Sequence, residues 1–197
     1  MKVVIIKYNA GNIQSVLFAL ERIGMQAIVT DNTEEIRTAD KIIFPGVGEA
    51  STAMNYLRER KLDELIVSLK QPVLGICLGM QLLCSHSEEG DTTCLNVFEK
   101  VSVKKFISGN NEFKIPQIGW NTISSLHSKL FNKVAEQSYC YFVHGYYAEE
   151  NNLTIAKTDY IQPYSSALSF ENFYGVQFHP EKSAIVGEQI LKNFLDL

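Results

Sequence analysis

Along the first ninety residues, short apolar runs alternate with stretches of helical spacing. Val3–Ile6 is a four-residue apolar run, broken by Asn9-Ala10-Gly11-Asn12. Ile13, Val16, Leu17, Leu20 and Ile23 then recur every three or four positions, which predicts an amphipathic helix closed by Gly24. Ala27–Thr30 predicts a second strand, and residues 41–44 a third that ends at Pro45-Gly46-Val47-Gly48. Met54, Leu57, Leu62, Leu65, Ile66 and Leu69 carry helical spacing through a charged stretch. Residues 73–76 predict a fourth strand, with Cys77 at its end and an apolar helix over 78–84 after it. Strands separated by helices imply right-handed crossovers and a parallel sheet covered on both faces.

From about Asp91 the pattern becomes rich in strands, at 97–103, 139–143, 153–156, 166–170 and 174–178. A last helix is predicted over 183–195, its apolar face set by Val186, Ile190, Phe194 and Leu197. No linker rich in Pro, Gly or Ser separates the two halves, and no internal repeat is visible. The expectation is one α/β domain over residues 1–197, a mostly parallel sheet flanked by helices with an antiparallel β extension.

Composition narrows the function classes. Apolar residues make up 46% and charged ones 20%, as in ordinary globular chains, which excludes a disordered or collagen-like chain. The formal charge of −4 excludes the broad basic footprint of a nucleic-acid binder. No apolar run approaches the ~20 residues of a membrane helix, and Lys7 interrupts the first run too soon for a signal-peptide core. Cys77, Cys84, Cys94 and Cys140 form no C-x-x-C pair and no metal-ligand spacing. A thiol-reduced cytoplasmic enzyme without metal or cofactor is therefore expected.

Gly75-Ile76-Cys77-Leu78-Gly79 sits between a buried strand and a helix. It has the G-x-nucleophile-x-G form of a strained elbow that lifts the middle side chain above the sheet. Glycines two residues to either side remove Cβ atoms that would collide there. A helix N-terminus beneath the sulfur favours thiolate, and the Leu78 N–H is left free for an oxyanion. Buried free cysteines are usually structural, which is the reading for Cys84, Cys94 and Cys140. Among His86, His127, His144 and His179, the last closes an apolar strand and precedes Pro180-Glu181. Two-residue periodicity points His179 and Glu181 the same way, so Glu181 can orient the imidazole of a general base. Pro45-Gly46-Val47-Gly48 is at least a turn, and beside the elbow it can offer a second N–H to a tetrahedral oxyanion. As a phosphate cradle it lacks the Lys-Ser/Thr of a P-loop.

Gly75-Ile76-Cys77-Leu78-Gly79-Met80-Gln81 together with Gln177-Phe178-His179-Pro180-Glu181 resembles the class I, triad-type glutamine amidotransferases. Pro45 to Gly48, Pro116-Gln117-Ile118-Gly119-Trp120-Asn121, Tyr141-Phe142-Val143-His144 and His179 to Ser183 are similar to the glutaminase subunits of imidazole glycerol phosphate synthases. The resemblance runs from Gly11-Asn12-Ile13 to the last helix. It implies that Cys77 attacks the glutamine carboxamide, His179 shuttles the proton and Glu181 holds His179. Leu78 and a peptide N–H of Val47 or Gly48 would form the oxyanion hole. Gln81, Glu89, Gly48 and the backbone around His144, Gly145 and Tyr146 would bind the amino-acid end of glutamine. Asn12, Trp120, Tyr141 and Lys182 match positions near the interface with a (β/α)8-barrel cyclase, the expected heterodimer partner. Outside the resemblance, Gln81 reads as an ordinary helix polar residue, Glu89 as a solvated charge, and Trp120 and Tyr141 as core aromatics. Lys7 stands where an acidic or small residue is common in the family, and Gly145 where Ser or Thr is usual. The polar tip over 108–113 has no assigned role. Two alternatives are a paralogous glutaminase feeding a surface-sugar amidotransferase and a catalytically silent binding module.

Overall fold

The computed structural model describes residues 1–9, 12–109 and 113–197. Part of the Asn9–Asn12 break and the centre of the 108–113 tip lie outside the described residues. The first half of the chain runs β1 (Val3–Ile6), α1 (Ile13–Arg22), β2 (Ala27–Thr30), α2 (Thr33–Arg37), β3 (Lys41–Gly46), α3 (Ala50–Glu59), α4 (Leu62–Ser68), β4 (Val73–Cys77) and α5 (Leu78–Leu83). The second half adds β5 (Cys84–Ser87), β6 (Thr92–Thr93), β7 (Phe98–Lys105), β8 (Gln117–Ile123), β9 (Ser138–His144), β10 (Tyr146–Ala148), β11 (Thr154–Asp159), β12 (Pro163–Phe170), β13 (Phe173–Val176) and α6 (Ala184–Leu195).

The large sheet has the order β2-β1-β3-β4-β13-β12-β10-β7-β5-β6, with β11 pairing β12, and β8 and β9 form a separate antiparallel pair. Strands β2, β1, β3, β4 and β13 are mutually parallel, and β12 turns the sheet antiparallel. This is the expected mostly parallel core with an antiparallel extension. One connection matters most. β13 comes from the far end of the chain yet pairs directly with β4, in the register Val176↔Ile76, so the residues after both strands leave the sheet side by side.

β1 and β4 are apolar throughout because both faces of the sheet are covered. Val4, Ile6, Ile42 and Phe44 pack on one side with α2 to α5. Val3, Ile5, Ile43, Leu74 and Ile76 pack on the other with α1 and α6. The odd–even division follows from the two-residue period of a strand.

Several elements exceed what the pattern predicts. The helical spacing from Met54 to Leu69 breaks into α3 and α4 at Lys61, which takes a left-handed conformation (φ 55°). α2 is too short for an apolar period and is set instead by its ends. The Asn32 side chain accepts from the Glu34 and Glu35 N–H groups, and those two acids occupy the first turn. The Glu49 side chain caps α3 in the same way. Hydrogen bonds from Thr52 and Ser51, chiefly the Thr52 N–H, hold its carboxyl down at about 2.

Helix α5 lies almost against the strands it follows. A Cβ on Gly79 would stand 1.9 Å from the Phe44 carbonyl oxygen, and one on Gly75 2.8 Å from Met80 N. No side chain can give way there, since the obstacle is backbone. Gly79→Ala is therefore expected to destabilise by about 3 kcal/mol or more. Gly145→Ala, whose Cβ would find Pro116 at 3.8 Å, should be near neutral. Urea unfolding of both variants checks the contrast.

Candidate active site

Cys77 ends β4 and begins α5 with φ 53° and ψ −110°, an unfavourable backbone conformation for a residue with a side chain. So tight a turn needs empty space where side chains would otherwise stand, and Gly75 and Gly79 supply it. The strain turns the sulfur out of the sheet toward a cavity of about 220 Å³. That cavity is walled by Val47, Gly48, Leu78, Gln81, Glu89, His144, Gly145, Tyr146, His179 and Lys182, with Val143 beside them. The residues expected for oxyanion binding and for the amino-acid end of a substrate thus converge on one space with the nucleophile.

His179 leaves the sheet three residues after β13 and lines the same cavity as Cys77. Its Nδ1 is 2.8 Å from Glu181 Oε1, and both side chains are almost wholly buried. Burial opposes protonation of the ring. The negative charge and hydrogen bond of Cys77, with the Glu181 hydrogen bond and charge, outweigh it and raise the imidazole to about 10. An acceptor carboxylate on Nδ1 leaves Nε2 for the sulfur, the arrangement a general base needs.

The backbone of His179 is fixed independently. Its N–H donates to the Tyr141 carbonyl at 2.9 Å, while the Ser183 hydroxyl donates to the His179 carbonyl at 2.7 Å and accepts from the Tyr141 N–H at 2.9 Å. Asn12, expected at a partner interface, makes its contact inside the chain: its Nδ2 donates to Glu181 Oε1 at 2.7 Å. It sits at the N-cap position of α1 with φ 71°, and its side chain holds the carboxylate instead of capping the helix. The other Glu181 oxygen is buried without a partner among the described residues.

Gln81, one turn past the nucleophile, donates from Nε2 to the Tyr146 carbonyl at 3.0 Å and to Gln177 Oε1 at 2.9 Å. With its amide hydrogens engaged, what it can offer a bound molecule is its carbonyl oxygen, an acceptor suited to an ammonium group. Glu89 accepts from the Ala50 N–H at 2.9 Å and adds a carboxylate to the same wall. Half-burial, then the nearby Glu49, raises its carboxyl, against the Ala50 hydrogen bond. His144 is neutral over a wide range, since full burial lowers it to about 4. Its Nδ1 donates to the Tyr146 carbonyl at 2.7 Å, and its Nε2 lies 3.2 Å from the Tyr164 hydroxyl.

The Pro45–Gly48 loop divides in two. Gly46 is the last residue of β3, in register with Cys77, and a Cβ on it would meet the Tyr8 hydroxyl at 2.3 Å and Leu78 Cβ at 2.9 Å. Tyr8 also donates to the Pro45 carbonyl at 2.7 Å. Freedom of rotation in this loop is therefore confined to the peptide between Val47 and Gly48, where φ of Gly48 is 116°.

Trp120 is not a core residue: 52% of it is exposed, on the outer face of the β8–β9 pair. Its ring meets Tyr141 edge-on at 5.8 Å, and Lys182 Nζ lies 5.9 Å from the Tyr141 ring centre, so the three form a strip leading to the cavity mouth. Among the described residues no three His, Cys, Asp or Glu side chains converge as metal ligands, and no helix is long and apolar enough to cross a membrane. Gln177, Ser183 and Tyr8 carry site contacts that the sequence pattern left unassigned, although the first two lie inside the quoted motifs.

The other thiols have no such surroundings. Burial raises Cys94 and Cys140 to about 12 and Cys84 well above its ordinary value. Iodoacetamide at neutral pH should label one cysteine of the folded chain, Cys77, and peptide mass spectrometry should find the other three unmodified until denaturant is added.

Comparison with known proteins agrees with this geometry. The family model described as glutamine amidotransferase class-I matches residues 4–197. The imidazole glycerol phosphate synthase subunit HisH of Bacteroides thetaiotaomicron is 56% identical over 197 residues, all of both chains. The protein of the same name from Idiomarina loihiensis is 45% identical over all of this chain and 98% of its own. Among solved structures, a glutamine amidotransferase from Thermotoga maritima shares the fold with a TM-score of 0.63 at 17% identity, covering 100% of this chain and 83% of that one. The elbow cysteine, its His-Glu pair and full-length identity of this degree lead to one conclusion: the chain belongs to the class I glutamine amidotransferases and, within them, to the HisH subunits of imidazole glycerol phosphate synthase.

Proposed function

We propose that this chain hydrolyses glutamine to glutamate and ammonia, and that it does so as the glutaminase subunit of an imidazole glycerol phosphate synthase in histidine biosynthesis. The observation that carries the reading is the convergence of Cys77, the His179–Glu181 pair, Gln81 and Glu89 on a single cavity. The chemistry follows from the positions. The Cys77 thiolate attacks the carboxamide carbon, and the oxygen takes up negative charge facing the Leu78 N–H and the Val47–Gly48 peptide. The His179 imidazolium gives its proton to the departing nitrogen, which leaves as ammonia, and a glutamyl thioester remains on Cys77. His179 then takes a proton from water, hydroxide adds to the thioester, and glutamate leaves as the sulfur is released. The Gln81 oxygen and the Glu89 carboxylate receive the substrate's ammonium group.

The ammonia is used by a partner, a (β/α)8-barrel cyclase that forms a heterodimer with this chain and makes imidazole glycerol phosphate and aminoimidazole carboxamide ribotide. The exposed strip Trp120–Tyr141–Lys182 supports a docking face at the cavity mouth. A net charge of −4 fits a subunit that leaves a phosphorylated substrate to its partner. Four free cysteines suit a cytoplasmic setting.

Three variants test the chemistry, assayed as glutamate release by the complex. Cys77→Ala should lower it by about 10⁴-fold or more, and His179→Asn by nearly as much, because the members of such a set act as a unit. Glu181→Gln should cost about 10²-fold, since it keeps an acceptor for His179. Full glutamine-dependent turnover by Cys77→Ala would overturn the assignment.

The isolated chain should be a poor glutaminase that the liganded partner switches on. The Leu78 donor is fixed by the elbow, whereas the second rests on a peptide free to turn its carbonyl toward the site. One missing oxyanion donor costs about 10²–10³ in rate. Rates for the chain alone, with partner, and with partner plus its nucleotide substrate should therefore rise by that order. Equal rates in all three would exclude the mechanism.

A further inference from the structure

None of the steps above uses Gln177, yet its buried side chain touches the nucleophile. It follows β13, is wholly inaccessible to solvent, and anchors its own N–H on the Ser166 carbonyl at 2.8 Å. Its Nε2 is 3.7 Å from Cys77 Sγ, and its Oε1 is 2.9 Å from Gln81 Nε2. The polarity of such an amide pair has to be argued from a fixed point, because amide oxygen and nitrogen are assigned by their hydrogen bonds. The Tyr146 carbonyl is that point. It can only accept, so the Gln81 atom 3.0 Å from it is the amide nitrogen. The same nitrogen faces Gln177, whose facing atom must then be the oxygen. The end of Gln177 that remains for the sulfur is the NH2 group, a donor.

We propose that Gln177 is a positioning residue: it donates a hydrogen bond to the Cys77 sulfur, favours the thiolate, and takes its orientation from Gln81 in the wall that receives the substrate. A second contact gives this donor a task. Cys77 Sγ also lies 3.7 Å from the Val143 carbonyl. A thiol can donate there, but a thiolate is repelled by the carbonyl dipole, so that contact favours the protonated form. Gln177 acts in the opposite sense on the same sulfur. The titratable groups that share the cavity wall with Cys77 are Glu89, His144, Tyr146, His179 and Lys182, with Tyr8 behind Gly46 and Tyr164 against His144. Full burial keeps His144 neutral, so the cationic side chains on that wall are His179 and Lys182, and Gln177 adds a neutral donor in contact with the sulfur itself.

Only the turnover part of the test rests on the glutaminase reading. The direct readout is the rate of Cys77 alkylation by iodoacetamide as a function of pH. Gln177→Met keeps length and removes the donor, and should move the midpoint up by about one pH unit, near tenfold slower labelling below the midpoint. Gln81→Met leaves Gln177 in place but unties its amide, and should give part of the same shift. In the complex with the cyclase, Gln177→Met should lower kcat for glutamine by about tenfold, with a smaller change in KM. A merely structural role would lower the thermal midpoint and leave the alkylation profile where it was. An unchanged alkylation midpoint in folded Gln177→Met overturns the proposal. Should that variant not fold, an unchanged midpoint in Gln81→Met does so. If the wild-type chain shows the alkylation profile but the complex releases no glutamate, the glutaminase reading fails and the role of Gln177 at the sulfur stands.

Discussion

Parallel pairing of β4 with β13 is the constraint on which the site depends, because it places the residues that follow the two strands next to each other. β4 runs straight into α5, and the turn between them is so tight that Gly75 and Gly79 touch backbone on the other side. β13 runs into a short 3-10 turn at Pro180–Lys182, which brings Glu181 back under His179. The apolar cores above and below the sheet make this pairing rigid. Had β13 joined an edge of the sheet, the same residues would have stood several strands from the cysteine, about 5 Å per strand.

Around that pairing the polar groups are organised by competition for a few acceptors. The Tyr146 carbonyl takes hydrogen bonds from both Gln81 and His144, and Glu181 Oε1 takes them from both His179 and Asn12. Each shared acceptor fixes two donors in one geometry, which matters in a buried site where an unmade hydrogen bond costs about 1–3 kcal/mol. The arrangement also keeps neutral and charged groups apart. His144 and the phenols carry no charge, and the carboxylate of Glu181 faces the one imidazole meant to be protonated.

Much of this is legible in the order of residues alone. The alternation of strand and helix signals, the elbow at Cys77 and the His179-Pro180-Glu181 strand end all depend on local pattern, and local pattern survives folding. What is not legible depends on partners far apart in sequence. Asn12 meets Glu181 169 residues away, and Gln177 meets Cys77 100 residues away. A lone amide gives no period to count. The break between α3 and α4 is hidden because the apolar spacing continues across it. Strands β5, β8 and β10 escape the pattern because none shows a clean apolar alternation: Cys84–Ser87 is mixed, and Gln117–Ile123 turns polar and aromatic residues to the outside. Trp120 resembles a core residue for the same reason, since an aromatic residue in a strand is usually covered.

The late position of β13 has a consequence for how the protein comes into being. A ribosome delivers the chain from the N-terminus, so β1 to β4, the elbow and Cys77 exist long before the sequence that closes the site. Until residues 173–181 have emerged and slotted between β4 and β12, the sulfur has no imidazole beside it. A nascent or prematurely ended chain is thus chemically silent, even when most of its sheet has formed. Insertion of β13 is a precondition for the site, and any further control acts only on a chain in which that strand is already in place.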